Sequence, residues 1–244
     1  MSRKRWFVAA LATVGVLGIL VLWPCIHTVR ETQGWSYSAN NIKQIGLALH
    51  SYHDAYGHFP PAVICDKDGR PLYSWRVAIL PFLEQSSLYN QFKLDEAWDS
   101  PHNMPLSQTT LKCYVSPFDY GNPWLTRFQV FVGPGTAFER PGLNVNDFPD
   151  GLGNTILVVQ STDPVPWAKP VDLIYHPDQP LLSLGKVHSK SIHFLCREVG
   201  SHPGFFACFA DGRCRFIRDS TDEQTLRALI TRNGGEPIDV DDLD

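Results

Sequence analysis

Three histidines, His50, His53 and His58, fall inside one nine-residue window. His50 and His53 stand at i and i+3, so a helix would put both imidazoles on one side, a spacing that can hold a metal ion. A catalytic zinc needs a third ligand and a general base at matched spacing, and no HExxH accompanies them. His53 also falls one turn after Leu49, on the face expected to be buried, where a packed, hydrogen-bonded imidazole is the plainer reading. Ser201, His202 and Asp211 have the residue types of a nucleophile–base–orienter set. No GxSxG elbow presents a serine, and Asp211 stands before Gly212 as a turn residue would. Asp95, Glu96 and Asp99 around Trp98 have the chemistry of a sugar or calcium site, but a solvated loop explains them more simply. Gly133-Pro134-Gly135 and Gly151-Leu152-Gly153 lack the companions of a phosphate-cradling loop. The expectation is a non-catalytic protein, with no catalytic, cofactor-binding or metal residues assigned and no cofactor implied.

The six cysteines are Cys25, Cys65, Cys113, Cys196, Cys208 and Cys214, with no CxxC among them. Redox and zinc-ribbon readings therefore lack their usual signature. Cys208 and Cys214 flank Asp211-Gly212, the turn of an expected hairpin over 205–217. A two-residue type I′ turn would pair Phe209 with Cys214. A three-residue loop, Ala210-Asp211-Gly212 with Gly212 at positive φ, would instead set Cys208 opposite Cys214. Only the second register, the one preferred here, lets these cysteines bridge. Free thiols and a disulfide both stay open.

What must position these groups begins with a membrane segment. From Trp6 to Ile26 the chain runs twenty-one residues without a charge, preceded by Arg3, Lys4 and Arg5. That length matches the roughly 20 residues a helix needs to cross a bilayer. Trp6 and Trp23 stand near its ends, where indoles favour the headgroup layer. The run is too long for a signal-peptide core and ends in bulky Leu22-Trp23-Pro24, so an uncleaved signal anchor is expected. The basic flank predicts an N-terminus in the cytoplasm and a single pass through the inner (cytoplasmic) membrane. Residues 1–29 are thus read as cytoplasmic stub and anchor, and 30–244 as an exported domain. A net charge of −4 offers no footprint for nucleic acid. The expected partners are the lipid bilayer, through residues 6–26, and proteins or further copies of the chain.

Ile42, Ile45, Leu49, Tyr52 and Tyr56 recur at helical spacing and predict a helix over 36–56, stopped by Gly57 and Pro60-Pro61. With the apolar run it would make one long N-terminal helix. Trp75–Leu83 forms a dense apolar patch, residues 88–92 suggest a helical turn, and 94–106 reads as an ordered loop. Strands are expected at 110–115, 128–132, 154–160 and 192–197, with Pro/Gly/Asp-rich loops over 117–127, 133–153 and 163–187. Ser220 to Asp222 offer an N-cap, Ser220 with Glu223 fits a capping box, and Leu226, Leu229 and Ile230 line one helical face. The fold class is α+β: a long N-terminal helix, transmembrane in its first half, on a small antiparallel sheet with long loops.

The blocks NNIKQIGLALHSYHDAYGHFPPA (40–62), SWRVAILPFLEQSSLYNQFKLDEAWDSPHN (74–103), DGLGNTILVVQ (150–160) and HPGFFACFADGRCRFI (202–217) stand in this order along the chain. Together they resemble the DUF1559 family, a large set of proteins of unknown function expanded in planctomycete bacteria. The resemblance covers most of residues 40–240 and implies a pilin- or pseudopilin-like layout, with a structural or assembly role played through protein contacts. The chain departs from the family pattern in four ways. It lacks the prepilin processing signal, has no acidic residue in the apolar run, carries Ser38 where many relatives have cysteine, and places eight residues between His202 and Asp211 instead of nine. The segment 186–201 reads as an insertion. The alternative function is an exported ligand-binding module or hydrolase using the loops of Trp98, Trp124 and Trp167 with nearby carboxylates.

Overall fold

The structure, a computed structural model, describes residues 36–115, 122–181, 184, 187–193 and 197–236. The apolar run 6–26 lies outside them, and among the described residues no helix is long and apolar enough to cross a membrane.

The expected helix is present over 36–56 (α1). Ile42, Ile45 and Leu49 are fully buried, so the helical period places them as expected. Its end is chemical: Gly57 takes φ 77° and its N–H bonds to the His53 carbonyl at 2.7 Å, a left-handed stop that glycine adopts without Cβ strain. The stripe fails at its last two positions. Tyr56 is 58% exposed, and Tyr52 is half-buried against the edge of the main core.

A short hairpin follows, β1 (Val63–Cys65) with β2 (Pro71–Ser74), and then α2 (Trp75–Ala78), capped by the Ser74 hydroxyl on the Arg76 N–H. A 3₁₀ turn at Leu80–Leu83 contains Pro81, and α3 (Ser86–Tyr89) supplies the helical turn expected at 88–92. The loop over 94–106 is ordered by one side chain. Buried Asn103, which opens α4 (Asn103–Ser107), accepts from the Lys93 N–H and donates to the carbonyls of Lys93, Glu96 and Ala97.

The main sheet is antiparallel, with β3 (Leu125–Gln129), β5 (Ile156–Pro166), β8 (Arg197–Phe209) and β7 (Val187–His193) in that order, and β9 (Cys214–Arg218) on the other side of β8. A parallel pair, β4 (Phe131–Val132) with β6 (Leu173–Ile174), stands beside it. Alternation along β8 serves two cores. Phe206 and Cys208 face α1, whereas Phe205, Ala207 and Phe209 face α5 (Glu223–Ile230) with its buried Leu229 and Ile230. In β5 a register shift between Ile156 and Val158 breaks the period of two, so Leu157 and Val158 both join the α1 side.

Several expectations need correction. Residues 110–115 form a turn, with Leu111 and Tyr114 buried as plugs under the loops. The strand expected at 128–132 is two strands parted at Val130, and the one expected at 154–160 runs on to Pro166. The candidate at 192–197 overlaps the end of β7 and the first residue of β8, and residues 187–193 and 197–201 of the expected insertion lie in the sheet. Asp222, not Ser220, caps α5, accepting from the Thr225 N–H at 2.9 Å.

Candidate functional site

The C-terminal end of α1 forms one wall of an open groove of about 580 Å³. Tyr52 and Tyr56 project from α1, His58 and Pro61 follow its stop, and Ile64, Tyr73, Ala78 and Tyr89 come from β1, β2, α2 and α3. Pro141 and Gly142 close the far side. The aromatic rings brace one another. Tyr52 and Tyr56 lie 4.5 Å apart centroid to centroid, and Phe82 meets both edge-on at 6.0 and 6.4 Å.

The groove's electrostatics are those of neutral phenols. Burial pushes Tyr52 and Tyr89 up and Tyr73 to about 12, so these hydroxyls stay protonated at any ordinary pH and can donate and accept hydrogen bonds. Nδ1 of His58 lies 2.8 Å from the Phe59 carbonyl. A carbonyl only accepts, so Nδ1 carries a proton. Among the described residues no carboxylate, amine or thiol lines the groove. It suits flat or ring-shaped apolar faces with hydrogen-bonding edges, such as proline rings or sugars. The sequence signal for it was Tyr52 and Tyr56, four apart at the end of a helix just before Gly57 and Pro60-Pro61. Read by period alone, they passed as core.

The three histidines do not converge. His50 meets Phe59 edge-on at 5.7 Å and overlies Gly212, where a Cβ would lie 3.5 Å from its Nε2. Desolvation lowers its pKa below 6.5, against the pull of Asp54. His53 packs on Phe59 at 5.0 Å, with Nε2 facing the Val145 N–H at 3.4 Å, while His58 enters the groove. Among the described residues no group of three or more His, Cys, Asp or Glu side chains is placed to hold a metal. Asp211 acts as a turn residue, accepting from the N–H and Nε of Arg213. The side chains of Ser201 and His202 lie outside what the structure describes.

The loop tryptophans do not converge on a pocket either. Trp167 is fully buried, donates Nε1–H to the Thr109 carbonyl and stacks on Tyr114 at 6.0 Å. Trp98 and Trp124 pack against the same core, and Glu96 is engaged by Lys93 and Ser100. A buried ion pair had no sequence signal at all. Asp172 accepts from both terminal nitrogens of Arg76, the Val130 N–H and the Trp75 indole, with both charged side chains at most 1% exposed. Burial drives the Asp172 carboxyl up, opposed by the Arg76 charge and these donors.

The hairpin takes the three-residue register. Phe209 N–H bonds to the Arg213 carbonyl at 2.8 Å, Gly212 takes φ 84°, and Cys208 stands opposite Cys214, both as free thiols.

No curated protein and no solved structure matches the chain. A family model described as "Protein of unknown function (DUF1559)" matches residues 36–224, from the first described turn of α1 into α5. With the hairpin and the groove inside that span, the chain belongs to the DUF1559 family.

Proposed function

We propose that this protein is a non-catalytic membrane-anchored component of pseudopilin-like layout, whose domain beyond the anchor works by protein contacts. The apolar run 6–26, flanked by Arg3, Lys4 and Arg5, would root it in the inner membrane, and α1 would carry that rod into the domain as its spine. The observation that carries the contact role is the groove. Among the described residues its lining is four tyrosines and two prolines beside His58, Ile64, Ala78 and Gly142, with no carboxylate, amine or thiol. An extended, proline-bearing protein segment fits such a surface, because proline rings lie on aromatic faces and its carbonyls accept from phenols. A photo-crosslinking residue in place of Tyr56, in the full chain within native membranes, should give a discrete protein adduct that the same residue at exposed Lys67 does not. Identical adduct patterns at the two positions would remove the groove from this role. Extraction of the intact chain by alkaline carbonate would remove the anchor.

A ligand-binding module is the second reading, favoured by the same four tyrosines, since sugar rings also stack on phenols. Saturable quenching of the protein's fluorescence by a soluble oligosaccharide, abolished by Tyr56→Ala together with Tyr89→Ala, would replace the first reading.

A further inference from the structure

The face of the β8–β9 hairpin that packs beneath α1 carries two thiols that the proposed function does not use. We propose that Cys208 and Cys214 are a modification site, a dithiol that closes into a cross-strand disulfide by exchange with a disulfide oxidant. The register sets the geometry. Cys208 pairs with Cys214 next to the Phe209–Arg213 pair, which carries the ladder hydrogen bond. Cys208–Cys214 is therefore a non-hydrogen-bonded pair, in which opposed Cα atoms approach to about 4.5 Å, within the roughly 4.4–6.8 Å that a disulfide spans. Opposed residues of a ladder share a face, and both side chains join the core on the α1 side. Both sulfurs lie 3.9 Å from the same acceptor, the Gly212 carbonyl.

The neighbours divide the labour. Cys208 is fully buried, sealed by α1 at Gly46, where a Cβ would come within 2.3 Å of its Sγ. Cys214 is only half-buried and so is the sulfur an oxidant can reach. The neighbouring Cys208 thiol and the Lys43 charge lower the Cys214 pKa against its partial burial, while the Cys214 neighbour and burial push Cys208 up. In the exchange, the Cys214 thiolate attacks the oxidant's disulfide, forming a mixed disulfide and releasing one thiol. Cys208 then gives up its proton and attacks the Cys214 sulfur, expelling the second thiol. Two protein thiols are oxidised and one oxidant disulfide is reduced to two thiols. Cys65 pairs across its own hairpin with Pro71, and Cys113 lies in the turn after α4. Neither faces this pair in a ladder.

The full chain, incubated with oxidised glutathione and then alkylated without reduction, should lose alkylation at both Cys208 and Cys214 while Cys65 stays alkylated. Cleavage after Arg213 should release the Cys214 fragment only once reductant is added. In Cys208→Ser the resolving sulfur is gone, and Cys214 should accumulate a glutathione adduct. Full alkylation of both sites after oxidation would overturn the proposal, as would a bond from either sulfur to a different cysteine. Should Cys208→Ser fail to fold, the wild-type disulfide map decides alone.

Discussion

Two aspartate–arginine pairs in this molecule have the same chemistry and opposite surroundings. Arg76–Asp172 is sealed between α2, β3 and the segment before β6, with the guanidinium also over the Trp75 ring at 4.7 Å and its Nε–H on the Phe128 carbonyl. Asp211–Arg213 sits at the hairpin tip, where Arg213 is 59% exposed. Burial decides what each is worth. A sealed pair holds its place because either partner alone would be a stranded charge, whereas an exposed pair competes with water and salt. The first is an internal tie joining segments nearly a hundred residues apart in sequence. The second shapes a turn that lies against α1.

The sharpest way to break this contrast is Asp172→Ala, which leaves Arg76 charged and buried. It should cost about 3–5 kcal/mol of stability in urea unfolding, and a loss near 1 kcal/mol would mean that the tie carries little. Next comes the seal between hairpin and helix. Gly46→Ala would push a methyl into the Cys208 sulfur and should cost about 1–3 kcal/mol. Adding Cys208→Ala should return part of that loss, and strict additivity would place the clash elsewhere.

A smaller effect concerns pH at the same contact. The folded His50 pKa lies below its unfolded value of 6.5. The unfolded chain therefore binds the proton first, and His50 lowers stability as pH falls from 6.5 toward the folded pKa. His50→Gln should flatten the measured stability profile across that window. An unchanged slope would mean that another group sets it. The smallest change is expected from Asp211→Ala, at most about 1 kcal/mol at low salt and less when salt is added. A salt-independent loss would show that its hold on the Arg213 backbone N–H, not the charge, matters.

Legibility followed locality. Helix 36–56, the hairpin over 205–217 and the apolar face of α5 were readable because helical and strand periods and an Asp-Gly turn are written in neighbouring residues. The same reasoning misplaced 110–115, where Leu111 and Tyr114 are apolar because a loop buries them and not because a ladder pairs them. It offered both Ser220 and Asp222 as caps of α5, and the choice between them depended on where the chain leaves β9. Burial under long loops and a binding role explain the loop tryptophans equally well in the sequence, since what covers Trp167 is Tyr114 and Phe92 from other segments.

By itself the sequence determined the period of α1, its stop at Gly57, the hairpin turn and the family blocks, because each depends on contacts within a few residues. Only the tertiary structure decided that Tyr52 and Tyr56 leave the core to wall a groove, that Arg76 finds Asp172, and that Cys208 faces Cys214 under Gly46. Those outcomes depend on which distant segments pack against α1 and α2 and on a one-residue choice of register. Such choices are settled by packing between distant segments, where a local pattern carries no information.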